Sequence, residues 1–314
     1  MQKQHRHIRY FLLAVLSALP LSVMAQQEPV YTQDIFSIQT VNPAYTGIRG
    51  QASITVLARQ QWLGLTGAPG TQALIFQSSA KDEKIGYGLT LTNDKIGLEK
   101  RISLFGDYSY KLDLTEETSL RLGLKLGFTN YSNNLFEYTI YDPNYDIDPA
   151  FQDRIQQRFM PNFGIGAFLY GENYYIGLSI PKIIQNELKN RSNGYVSYAQ
   201  IRHLFLKAGY VFDVTDGIKF KPVFNTTVVI GAPVYMGFGA NLLFKDKVWL
   251  GALYRIGDSF GLLGQWQLNE KLNAGYAIDF SSSDLSRYHS GTHEIVITYQ
   301  FNYKSKKRKS IPYF

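Results

Sequence analysis

The 314-residue chain contains no cysteine, only three tryptophans and only five histidines. Without thiols it has no disulfide framework, no thiolate metal site and no thiol nucleophile. Its longest apolar run, Phe11 to Leu21, falls short of the roughly 20 residues that a membrane-spanning helix needs. A phosphate-binding glycine loop, a zinc-ligand spacing and a nucleic-acid-binding motif are all missing. A basic stripe is missing as well, although the net charge is +7: three of the positive charges (Lys3, Arg6, Arg9) lie in the first 25 residues and five (Lys304, Lys306, Lys307, Arg308, Lys309) in the last eleven, which leaves −1 for everything between. Nucleic acid is therefore not an expected partner.

Histidine scarcity limits acid–base chemistry to His203, His289 and His293 once the first 25 residues are set aside. Only His289 has serines and an aspartate close in sequence, Ser281 to Ser283, Asp284 and Ser286, so a hydrolase site would have to be built there; the other reading is a serine-rich polar loop, and we expect no catalytic residue. Asp142, Asp146, Asp148 and Asp153 crowd another connection, but their spacing departs from that of an EF-hand loop. A solvated acidic loop is expected, with no metal and no cofactor.

What is present points to a membrane from the other direction. Lys3, Arg6 and Arg9 precede the short apolar run, which ends in Val23-Met24-Ala25, the layout of a secretory signal peptide cleaved after Ala25. Aromatic residues make up 15% of the chain, with 23 tyrosines and 20 phenylalanines, the half-wet side chains that line bilayer interfaces around a barrel. Apolar and polar residues alternate almost throughout. Leu120, Leu122, Leu124, Leu126 and Phe128 interleave with Arg121, Gly123, Lys125, Gly127 and Thr129, and similar patterns run over 203–212, 234–244 and 294–303. One face of such a strand is wholly apolar and the other polar or tiny.

The pattern predicts an all-β, transmembrane antiparallel β-barrel of about 14 strands, near 50–60, 70–79, 84–93, 98–111, 118–130, 158–170, 173–182, 199–212, 217–229, 232–244, 247–256, 259–268, 271–281 and 290–303. Closure follows from bilayer physics, since an open edge would leave unpaired backbone groups in hydrocarbon. Every second connection is short and polar, as at Lys81-Asp82-Glu83 and Lys245-Asp246-Lys247, whereas the two longest, near 131–157 and 183–198, fall on the other side. That parity supports an even strand count with both termini in the periplasm. The expected division is a cleaved signal over 1–25, a periplasmic or luminal segment over 26–49, the barrel over 50–303 and a basic tail over 304–314.

Several stretches resemble the PorP/SprF outer-membrane proteins that accompany the type IX secretion system of Bacteroidetes. They begin with Asn42-Pro43-Ala44-Tyr45-Thr46-Gly47, Arg59-Gln60-Gln61-Trp62-Leu63-Gly64 and Gly67-Ala68-Pro69-Gly70-Thr71, and continue with Pro161 to Gly166, Tyr175 to Pro181, Gly231-Ala232-Pro233, Trp249-Leu250-Gly251 and His293-Glu294-Ile295. The resemblance implies a non-enzymatic barrel in outer-membrane lipid that works with secretion and gliding machinery. It would act as a core subunit touching the periplasmic ring or a peptidoglycan-associated protein, or as the partner of one large secreted surface protein. The other function open to a barrel of this size is a porin for small solutes.

Asn42, Pro43, Tyr45, Gly47, Arg59, Trp62, Pro69 and Thr71 are the candidate partner contacts. For Asn42 to Gly47 the alternatives are a turn or luminal plug and a partner-contacting segment. For Arg59 and Trp62 they are an interface girdle and a recognition knob. The basic tail is either a solvated extension or a contact with an acidic partner or anionic lipid head groups.

Overall fold

A computed structural model describes residues 30–80, 83–133, 155–189 and 196–301. Helix α1 (Asp34–Val41) and a 3-10 turn (Pro43–Tyr45) precede all of the strands. The strands are β1 (Ser53–Gln60), β2 (Gly70–Ser79), β3 (Ile85–Ile96), β4 (Glu99–Asp113), β5 (Ser119–Asn133), β6 (Ile155–Tyr170), β7 (Tyr174–Ile180), β8 (Asn186–Lys189), β9 (Val196–Gln200), β10 (His203–Tyr210), β11 (Phe212–Thr215), β12 (Ile218–Val229), β13 (Tyr235–Phe244), β14 (Val248–Arg255), β15 (Ser259–Gln267), β16 (Leu272–Ser281) and β17 (Thr292–Gln300). Apart from the separate β8–β9 hairpin, each pairs antiparallel with its neighbours, and β1 pairs with β17 from Ser53↔Gln300 to Gln60↔His293 to close the sheet.

β10 and β11 form one strand interrupted at Val211, so the barrel has 14 strands. The register Gly209↔Val223 and Phe212↔Phe220 sets Tyr210, next to the interruption, opposite Pro222, which has no N–H to give the ladder. The β8–β9 hairpin lies between β7 and β10, and the strand expected over 199–212 is divided between the end of β9 and the start of the β10–β11 strand.

Alternation is realised as two chemical faces. In β5, Leu122, Leu124 and Leu126 are exposed, whereas Arg121 and Lys125 are buried in the lumen. The exposed set continues around the barrel through Leu89, Tyr108, Ile165, Ile176, Phe238, Leu250, Leu262 and Ile297, a belt for hydrocarbon to cover. We predict that Leu124→Arg, near the middle of β5, costs about 2–4 kcal/mol in the stability of the barrel refolded in lipid vesicles. An unchanged unfolding midpoint would contradict the outward assignment.

The barrel has two unlike rims. At the turn rim β2, β4, β6, β11, β13 and β15 end; at the loop rim β1, β3, β5, β7, β12, β14 and β16 end. The acidic cluster Asp142 to Asp153, the signal segment and the basic tail fall outside the described residues.

Segment 30–50 does not stand outside the barrel. It enters the lumen near the loop rim and leaves at the turn rim, where Ser53 starts β1, with Thr32, Gln33, Ile38, Gln39 and Asn42 to Ile48 buried. Val30 therefore lies toward the loop rim, while the two ends of the barrel wall, Ser53 and Gln300, pair with each other at the turn rim.

Candidate functional site

The lumen is filled by its own chain, and three sets of wall groups hold that chain at three levels. At the turn rim, Asn42 Oδ1 accepts the N–H of Ala44 (3.0 Å) and starts the 3-10 turn, Pro43 holds its own φ, and Gly47 takes φ +78°. Arg121 donates to the Thr46 carbonyl (3.2 Å), the Gly47 carbonyl (3.3 Å) and the Glu83 carbonyl (2.6 Å). Ser109 Oγ donates to the Thr46 carbonyl (2.6 Å), and the Gly47 N–H donates to Gln77 Oε1 (3.2 Å).

Wall glycines make room for this. A Cβ on Gly86 would overlap the Thr46 carbonyl, one on Gly123 the backbone of Pro43 and Ala44, and one on Gly166 the Asn42 side chain. Tyr45 packs against Phe168 (ring centroids 5.5 Å apart, edge to face), and Phe168 stacks on Tyr175 (5.4 Å).

At mid-height, Asp107 and Lys125 are cross-strand partners and pair at 2.7 Å. Gln39 joins them: its Nε2 donates to Asp107 Oδ2 (3.2 Å) and to the Phe76 carbonyl (3.0 Å), and Lys125 Nζ donates to the Gln39 carbonyl (3.3 Å).

Toward the loop rim, Glu294 receives the backbone N–H of Thr32 (3.1 Å) and of Gln33 (2.7 Å) on its two oxygens. Asp279 accepts the Thr32 hydroxyl (2.7 and 2.8 Å) together with Arg59 (3.1 Å) and Arg255 (2.9 Å), while Arg59 also reaches Glu294 (3.2 Å). Beside this clamp Tyr31 packs into an inward apolar patch of Leu57, Ala73, Ile75 and Val296. Two arginines against two carboxylates make the cluster neutral, as a water-poor site requires.

The outer-facing hydrocarbon belt, the 14-strand closure and the plug describe an architecture; the lineage comes from the sequence. A family model, Type IX secretion system membrane protein PorP/SprF, matches residues 23–299, nearly the whole described chain. The chain belongs to the PorP/SprF family. No curated protein matches it in sequence.

Among solved structures, this PorP/SprF barrel is similar to the CymD monoaromatic hydrocarbon channel at TM-score 0.50 and 10% identity, covering 86% of this chain and 94% of that one. The Ralstonia pickettii toluene transporter TbuX gives 0.49 and 10% over 84% and 92%. The Acinetobacter baumannii outer-membrane protein Omp33 gives 0.46 and 10% over 82% and 100%. At these identities the likeness concerns the fold alone, an outer-membrane β-barrel.

Within this PorP/SprF barrel the eight candidate residues do not form one surface. Asn42, Pro43, Tyr45 and Gly47 belong to the plug and are buried. Arg59 is also buried in the lumen, in the ionic clamp, and Thr71 is luminal, its hydroxyl donating to Asp94 (2.6 Å). Only Trp62 and Pro69 lie on the loop rim, so Arg59 and Trp62 do not make a joint knob.

Trp62 adopts φ +49°, a strained conformation for a bulky side chain, and its ring centroid lies 6.3 Å from that of His289. The two loops are stitched by Leu63 N–H to the Gly291 carbonyl and Ser290 N–H to the Leu63 carbonyl, both 2.8 Å. The Pro69 carbonyl closes the same loop by accepting from the Gln61 N–H (2.9 Å).

His289 Nδ1 accepts the Gly291 N–H (2.9 Å), and Ser281 and Ser283 bond to each other (2.9 Å), so among the described residues no hydrogen bond joins these serines to this histidine. Sequence reasoning missed Thr32, Gln33, Gln39, Asp107, Arg121, Lys125, Arg255 and Asp279 as plug contacts. The available signal was a charged or glycine residue at the inward position of an otherwise apolar strand.

Proposed function

We propose that this PorP/SprF barrel is a plugged, non-enzymatic anchor of the type IX secretion machinery in the outer membrane, which supports the export or surface retention of a secreted partner protein. The observation that carries the reading is the chain from Thr32 to Gly47 bonded to the lumen wall at three levels, for a permanent solute path would leave that space clear. The porin alternative requires its removal.

The loop rim, with the longest connections, faces the cell exterior, and the turn rim faces the periplasm. Phe301 then hands the basic tail to the periplasm, where periplasmic ring subunits or a peptidoglycan-associated protein are reached.

On this reading the external contact is the strained Trp62 loop with its neighbours His289 and Tyr288, the last 71% exposed. Strain held in place by two stitched loops is a cost that a binding role accounts for. We expect Trp62→Ala to leave the barrel folded and to weaken capture of the secreted partner by about 30-fold, the loss of one hot-spot tryptophan worth roughly 2 kcal/mol. Quantifying the surface protein on whole cells, against the wild type and a deletion strain, tests the role. Full surface display in the deletion strain refutes it.

A further inference from the structure

On strands β2 to β5 the outward face changes chemistry in three steps as it nears the loop rim. Leu74, Leu91, Leu104 and Phe128 stand side by side in an apolar row, each paired with the next. One row higher the amides begin: Gln72 and Asn93 are paired, with Asn93 Nδ2 donating to Gln72 Oε1 (2.6 Å), and Asn130 stands beyond Ile102. In the next row Lys95 and Lys100 are directly opposite each other, and both are exposed. Lys95 follows Leu91 by four residues, a rise of about 10 Å once strand tilt is allowed for.

Among the described residues these two lysines are the only charged groups at outward positions of β1 to β5. Their chain neighbours serve the inner face instead: Asp94 accepts the Thr71 hydroxyl (2.6 Å), and Glu99 pairs with Arg101 (3.1 Å). Neither ammonium meets a carboxylate among the described residues. Like charges directly opposite in a ladder repel each other, and an anion held between them removes the repulsion. The hairpin that presents them is tied down, since the Gly97 N–H donates to the Gly67 carbonyl (2.8 Å). The feature is also local. At the loop-rim ends of β12 to β14, Val228, Ile230, Val234 and Ile256 are exposed, so that side of the rim is apolar.

We infer that this face of the barrel is a binding site for a phosphate-bearing glycolipid of the outer leaflet. Its acyl chains lie along Leu74, Leu91 and Leu104, its sugar and acyl-linkage oxygens meet Gln72, Asn93 and Asn130, and its phosphate sits between Lys95 and Lys100. Lysine binds phosphate as a point charge, and its apolar stem lies along the barrel while the ammonium reaches the headgroup level. A lipid is favoured over an acidic protein because the cations continue the hydrocarbon belt directly, through a row of amides at the depth where headgroup begins. The choice of leaflet rests on the proposed orientation; the phosphate chemistry rests on the three rows alone.

The test is native mass spectrometry of the purified full-length barrel in detergent, titrated with diphosphorylated lipid A, with lipid A stripped of phosphate, and with phosphatidylglycerol. The expected result is saturable retention of a single lipid A, weakened roughly tenfold or more by loss of its phosphates and to a similar extent by Lys95→Gln combined with Lys100→Gln. Lys245→Gln combined with Lys247→Gln removes the same charge at the turn rim and is expected to leave retention unchanged. Folding of both double variants is checked by gel-mobility shift.

Equal retention with and without phosphate, equal loss in the two double variants, or a preference for phosphatidylglycerol overturns the inference. Displacement of the lipid by an equimolar polyglutamate peptide also overturns it and assigns the face to an acidic protein. Because the assay needs no secretion, a barrel that ignores lipid A in a strain that depends on it for surface display refutes the lipid site and leaves the anchor role standing. A barrel that retains lipid A in a strain that displays its surface proteins without it does the reverse.

Discussion

Removal of residues 30–47 is expected to turn a sealed barrel into a conducting one. A 14-strand barrel is wider than its own inward side chains can fill, and here the difference is made up by the plug at the three levels of Arg121, Asp107 with Lys125, and the Arg59–Asp279–Glu294–Arg255 clamp. With the plug gone, water replaces it against a wall of charged and hydroxyl groups. In planar bilayers the wild type is expected to show no sustained steps, whereas the deletion variant shows discrete openings, and cells carrying it admit large hydrophilic antibiotics normally excluded by the outer membrane. Long-lived steps from the intact protein would show that the plug does not seal.

The second large effect concerns the pair Asp107 and Lys125, whose side chains are 0% and 2% exposed at 2.7 Å. Replacing only one leaves an uncompensated charge in the wall, so Asp107→Leu or Lys125→Met alone is expected to cost about 3–5 kcal/mol. Replacing both removes the charge together with its partner, and the double variant is expected to recover most of that loss. The recovery stays incomplete because Gln39 loses its acceptor at Asp107 and its carbonyl loses the lysine. Thermal unfolding of the four proteins, followed by the gel-mobility shift of folded barrel, closes the cycle. Additive losses in the double variant would mean that the two residues do not act as a pair.

The barrel was legible because bilayer and lumen impose opposite chemistry on alternate residues. Leu122, Leu124 and Leu126 against Arg121 and Lys125 fix both the strand and its facing. The same alternation, followed through Ile54, Val56 and Ala58, already places Arg59 inward, and the buried clamp is its consequence. The plug was harder to see. Segment 30–50 is short and lacks a sustained period, because its residues answer to an irregular lumen rather than to one flat face. Its partners are scattered from Leu57 to Glu294, and only closure of the sheet brings them together.

The glycines were visible but mute until Pro43, Ala44 and Thr46 were found against Gly123 and Gly86. The β8–β9 hairpin escaped for a related reason, since its four- and five-residue strands lie outside the barrel wall and need no apolar face.

The most direct test of the central claim is gentle extraction of the tagged barrel from its native outer membrane, followed by mass spectrometry of what accompanies it. Recovery of type IX ring or peptidoglycan-associated subunits, or of one very large surface protein lost in the Trp62→Ala variant, is the predicted result. Recovery of the barrel alone, joined to sustained conductance of the intact chain, would contradict the anchor and make it a pore.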